Sequence, residues 1–143
     1  MQQIVFLCTG NTCRSPMAEG LFRAHGGEQA TGLTAASAGL FTQDGFPASA
    51  NAVTAAGELG ADITAHRSRM LTDELAHSAR YLVCMTGAHY DRLCALYPDC
   101  ADKIFTLLPE DIDDPFGGDL EAYRRAAAQI DAGVRSIIGR QSA

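Results

Sequence analysis

Short apolar, β-branched runs at 4–8, 33–38, 80–85 and 103–107 alternate with longer segments whose apolar residues recur every three or four positions. The runs predict strands; the longer segments predict helices at 16–26, 48–59, 87–96 and 119–138, with a further short one after Thr72. The last helix carries Leu120, Tyr123, Ala127, Ile130, Val134 and Ile137 on one stripe. Turn residues gather in three irregular stretches, Gly39 to Pro47, Gly60 to His66 and Leu108 to Gly118, and the chain holds no internal repeat. Strand and helix in alternation predict an α/β fold with a parallel sheet. Right-handed crossovers then put the ligand crevice at the carboxyl ends of the strands, and the first strand ends at Cys8.

Bulk properties narrow the function classes. A chain of 143 residues, 47% hydrophobic and 20% charged, is expected to form one domain, 1–143, with its own core. The net charge is −6 and the basic residues are scattered, which argues against nucleic acid as a partner. The opening apolar run, Ile4 to Cys8, is too short for a signal peptide, and no stretch approaches a membrane span. A cytoplasmic monomer without membrane association is the expectation. Five cysteines without a Cys-x-x-Cys pair fit reduced thiols, and His25, His66, His77 and His89 lack metal-site spacing, so neither metal nor cofactor is expected.

The segment Cys8-Thr9-Gly10-Asn11-Thr12-Cys13-Arg14-Ser15-Pro16 runs from a predicted strand into a predicted helix, with Ser15 as expected N-cap and Pro16 at the first helical position. Such a loop can curl its backbone N–H groups around a tetrahedral anion while the helix dipole points at the same spot. Gly10 and Asn11 are the residue types that best tolerate left-handed backbone. Arg14 offers a planar fork for two phosphate oxygens, which an ammonium group does not match. A thiolate at Cys8 would be the nucleophile, because a helix N-terminus and a guanidinium both favour the ionised sulfur. The plainer reading is a buried strand-end cysteine before an ordinary turn. The preceding strand, the Gly-Asn pair and the helix start favour the anion loop together.

The string VFLCTGNTCRSPMAEGLF resembles the signature of the low-molecular-weight protein tyrosine phosphatase family. The likeness extends through SAG at 37–39, His66 through Arg69, LVCMT at 82–86 and DPFGG at 114–118. It implies a flavodoxin-like, three-layer fold with a four-stranded parallel sheet flanked by helices. It also implies Cys8 as nucleophile, Arg14 as phosphate clamp, Asp114 of the Asp-Pro pair as general acid, and phosphate binding along residues 9–15. Asn11, Ser15, Ser37 and His66 match the family's loop-supporting network. Cys13 matches a second cysteine able to trap an oxidised nucleophile, with plain packing as the other reading. Read alone, Asp114 is one carboxylate of an acidic loop beside Glu110, Asp111 and Asp113, and His66 an ordinary structural histidine. The reaction implied is a protein phosphatase reaction through a phosphocysteine, releasing inorganic phosphate.

Two residues bear on the substrate. The family's classical tyrosine-specific members usually carry two tyrosines after the Asp-Pro, where this chain has Phe116-Gly117, and many place an aliphatic residue where it has Thr12. CTGNTCRSP with DPFGG resembles the bacterial branch of protein arginine phosphatases, which implies phosphoarginine proteins as substrate, with phosphotyrosine proteins as the alternative. A Thr12 hydroxyl makes the wall polar, but it is equally able to satisfy a loop backbone group. Phe116 stacks on a phenol or a guanidinium alike. Phe41 and Phe46 form either another pocket wall or two core aromatics of a connector. A thiol-dependent arsenate reductase shares the loop but needs a relay of further cysteines; Cys84 in a predicted strand and Cys94 on a helix suit packing instead.

Overall fold

A computed structural model describes residues 2–141. Four parallel strands form one sheet in the order β2-β1-β3-β4, with β1 Gln3–Cys8, β2 Thr34–Gly39, β3 Tyr81–Cys84 and β4 Ile104–Thr106. The helices are α1 Arg14–Ala24, α2 Gly27–Thr31, α3 Ala50–Glu58, α4 Asp73–Ser78, α5 Gly87–Leu96 and α6 Leu120–Gln141, with a 3-10 turn at Pro98–Lys103. The expected strands and the four long helices are present within a few residues of their predicted limits. The short helix after Thr72 is α4, capped by the Thr72 hydroxyl, which accepts from Leu75 N at 3.1 Å.

β1 lies in the middle, paired with β2 from Gln3↔Thr34 to Cys8↔Gly39 and with β3 from Ile4↔Tyr81 to Leu7↔Cys84. Its alternate residues feed two cores, as a sheet covered on both faces requires. Ile4, Phe6 and Cys8 join α1, α3 and α6, including Met17, Phe22, Ala52 and Ile130, while Val5 and Leu7 join Leu75, Leu93 and Ile104 on the other side. The predicted α6 stripe is buried from Tyr123 to Ile137. This is the three-layer α/β architecture expected, and among the described residues no helix is long and apolar enough to cross a membrane.

Three local expectations are corrected. Helix α1 begins at Arg14, with Cys13 at the cap position and no side-chain cap, so Ser15 is not the N-cap and Pro16 is the third helical residue. The Ser15 hydroxyl is instead engaged by Cys8 and Asn11. The left-handed loop residue is Asn11 at φ 56, whereas Gly10 is not among the positive-φ glycines. The first helix stops at Ala24 rather than 26, because Gly26 turns left-handed at φ 73 and starts the separate α2, which the sequence pattern missed.

Candidate active site

The loop between β1 and α1 is held from outside by its carbonyls. Cys8 O and Thr9 O accept from Leu40 N and Phe41 N, Thr12 O from Ser49 N, and Cys13 O from Met17 N; Asn11 O is 2.7 Å from His66 Nε2. With these carbonyls engaged, the loop's N–H groups are left for its interior, as in the bond that Asn11 N donates to Cys8 Sγ at 3.3 Å. Gly39 makes this closeness possible. A Cβ there would stand 2.7 Å from Thr9 O and 3.2 Å from Asn11 Cβ, so the loop can pass over β2 only where no side chain exists.

Asn11, fully buried, organises the rest. Its Nδ2 donates to Ser15 Oγ at 2.8 Å and to Ser37 Oγ at 3.0 Å, and its Oδ1 accepts from Arg69 N at 2.9 Å. Ser15 Oγ lies 2.9 Å from Cys8 Sγ. Because Ser15 accepts from Asn11, its own proton is available to the sulfur. Two donors thus converge on Sγ, an environment that suits an anion. Behind this row Ser37 Oγ donates to Glu19 Oε1 at 2.6 Å, and Arg69 Nε donates to Ser37 O at 3.1 Å. Asn11, Ser15, Ser37 and His66 are therefore all brought together; Glu19 and Arg69, which lie inside the matched segments but had no role assigned there, complete the network.

Cys8, Thr9, Gly10, Thr12, Cys13, Arg14, Asp114 and Phe116 surround a pocket of about 240 Å³. Arg14 is buried, donating to Ile112 O at 3.1 Å, and its Nη2 stands 3.7 Å from Asp114 Oδ2. Asp114 is 61% exposed in its side chain and accepts from Phe116 N at 3.1 Å, which shapes the Asp-Pro turn. Phe116 is 78% exposed at the rim. Phe41 does not line this pocket. It stands 82% exposed in the adjoining groove with Phe46, Met70 and Phe116, which meets the pocket at Gly10 and Thr12. Phe41 and Phe46 are thus rim residues and not core aromatics. The 40–47 stretch is pinned by Gly45 N to Ser68 O and Ser68 N to Phe46 O.

The other sulfurs and histidines separate by environment. Cys13 is buried, with Sγ 3.5 Å from Tyr123 Oη and 3.6 Å from Ser49 Oγ. Cys84 is wholly buried, and burial followed by the neighbouring Cys94 pushes its thiol up to about 12, which disqualifies it as a ready relay thiolate. His77, Asp99 and Cys100 bring ligand atoms within 4.8 Å of one another, yet both His77 nitrogens already engage Asp73 O and Asp99 Oδ2. His89, unassigned from the sequence, does not line the pocket but touches Thr9, which does. Burial and then the Arg14 charge hold its imidazole below the usual range, against Asp114 and Asp111.

A cysteine at the end of a parallel strand, below a donor-lined loop and beside a buried arginine, is the architecture of a cysteine-dependent phosphatase. Residues 3–142 match the family described as low molecular weight phosphotyrosine protein phosphatase. A protein-arginine-phosphatase of Geobacillus stearothermophilus is 40% identical over 90% of this chain and 88% of its own. The solved low molecular weight protein tyrosine phosphatase of T. tengcongensis is also 40% identical, with TM-score 0.88, over 98% of this chain and 99% of its own. A YwlE arginine phosphatase mutant solved with a phosphorylated active site serine superposes with TM-score 0.90 at 33% identity, over 97% and 95%. The chain belongs to the low molecular weight phosphotyrosine protein phosphatase family, and it is a cysteine-based protein phosphatase.

Proposed function

We propose that the chain hydrolyses phosphoarginine in proteins, with Cys8 as nucleophile, Arg14 as clamp and Asp114 as general acid and base. The observation carrying this is the single pocket that gathers Cys8, Arg14, Asp114 and Thr12. Cys8 Sγ attacks phosphorus in line; the phosphorus–nitrogen bond breaks as Asp114 protonates the departing nitrogen, leaving a phosphocysteine and a free arginine side chain. Asp114, now ionised, takes a proton from water, whose oxygen attacks phosphorus. The sulfur–phosphorus bond breaks and inorganic phosphate leaves. Arg14 and the loop N–H groups neutralise the phosphoryl oxygens throughout, so the scheme uses no metal.

Thr12 supports arginine. Its hydroxyl touches the Cys13 sulfur at 3.8 Å, a weak contact that leaves it able to serve the pocket. A polar wall facing the exposed Asp114 carboxylate suits a guanidinium, which needs hydrogen-bond acceptors around its plane. The relative named as a protein-arginine-phosphatase adds to this reading. Phosphotyrosine is the second reading, favoured by the exposed Phe116 ring at the rim and by the equally similar tyrosine phosphatase.

The deciding measurement is turnover on matched phosphoarginine and phosphotyrosine peptides for the wild type and Thr12→Ile. The wild type is expected to favour phosphoarginine, and Thr12→Ile to move the ratio towards tyrosine by about tenfold or more. A wild-type preference for tyrosine that the substitution leaves in place would remove the arginine assignment.

A further inference from the structure

His89 opens no recognised motif, yet it touches the loop. It lies in the first turn of α5, is only 9% exposed, and places Nε2 2.9 Å from Thr9 Oγ1, 80 residues away along the chain. Its Nδ1 is buried without a hydrogen-bond partner among the described residues. A neutral imidazole carries one proton, and the two placements are unequal. On Nδ1 the proton would sit on a buried, unpaired donor, which is rarer and costlier than an unfilled acceptor. On Nε2 it is satisfied by Thr9 Oγ1. The ring therefore donates to Thr9, and the hydroxyl proton of Thr9 remains unused by that contact. Thr9 lines the pocket together with Cys8, Arg14 and Asp114.

We propose that His89 is a positioning residue that fixes the Thr9 side chain so that the Thr9 hydroxyl donates to an oxygen of the phosphoryl group held in the pocket. The inference rests on the phosphatase reading of that pocket. It adds a side-chain donor to the backbone N–H groups of the loop, and it gives α5 a part in catalysis. A histidine that merely fills space would act independently of Thr9, so coupling between the two residues separates the roles.

Steady-state kinetics on an aryl phosphate, with inorganic phosphate as competitive inhibitor, provide the test. Thr9→Val and His89→Phe are each expected to lower kcat/KM about fivefold to tenfold and to weaken phosphate inhibition in parallel. The double variant is expected to be no worse than Thr9→Val alone. His89→Gln, whose amide N–H can replace Nε2–H, is expected to recover most of the loss. Full activity in His89→Phe, losses that multiply in the double variant, or a Gln variant as poor as Phe would each overturn the role of His89. A wild type inactive on the aryl phosphate would instead sink the phosphatase reading itself, and this inference with it.

Discussion

Arg14 and Asp114 show how much depends on side-chain geometry. The guanidinium is already aimed by its bond to Ile112 O at 3.1 Å and stands 3.7 Å from Asp114. Lysine would keep the charge but lose both the fork and the tether. Arg14→Lys is expected to cost about 10²-fold or more in kcat/KM, read in a stopped or continuous phosphate-release assay. Asp114→Asn should slow turnover by about 10²–10⁴-fold on substrates with poor leaving groups and much less on an activated aryl phosphate. An equal loss on both would mean that Asp114 does not protonate the leaving group.

The β1–α1 connection works because its neighbours leave room and supply donors. β2 contributes Ser37 to the Asn11 network and Gly39 to the space beneath Thr9. Gly39→Ala would place a methyl 2.7 Å from Thr9 O and 2.8 Å from Thr42 Cγ2, so the loop must shift. A loss of about 1–3 kcal/mol in stability and weaker phosphate affinity are expected, measurable by denaturant unfolding and by inhibition kinetics. Gly57, in the last turn of α3 with open space around it, is the contrasting site. Gly57→Ala should raise stability by about 0.5–1 kcal/mol and leave kinetics alone, as helix propensity requires. The same connection explains the misplaced helix start. A Ser-Pro pair predicts a cap from local preference, but here the serine hydroxyl is drawn to the Cys8 sulfur and the helix begins two residues earlier, at Arg14.

Across the molecule, α6 closes the layer that covers α1 and α3. Its Asp131 accepts from His25, the C-cap of α1, at 2.5 Å and from Arg135 at 3.0 Å. Burial pushes the Asp131 carboxyl up, but those hydrogen bonds outweigh it and hold it below the ordinary carboxylate value. A carboxyl lowered on folding adds stability above its unfolded value, about 3.9, and loses it as pH falls through the folded value. Asp131→Asn is therefore expected to lower the melting temperature near neutral pH and to flatten its decline below about pH 4. A melting profile that keeps the same acid decline would show that other carboxylates govern it.

Local patterning carried much of this molecule. Apolar runs and periodicity marked four strands and the long helices, and a nine-residue stretch from Cys8 to Pro16 marked the candidate anion loop, because strand, turn and helix preferences act over a few neighbouring residues. What tertiary packing decided was different in kind. His89 meets Thr9 across 80 positions, Arg69 meets Asn11 across 58, and Tyr123 reaches Cys13 across 110. Arg69 lies in a segment that matches the family and Tyr123 on the predicted α6 stripe, but nothing in the local sequence of any of the three says which distant residue it meets. Their roles arise only when the sheet order β2-β1-β3-β4 carries the ends of separate strands to one edge, since contact between distant segments depends on how layers stack and not on what either segment prefers alone.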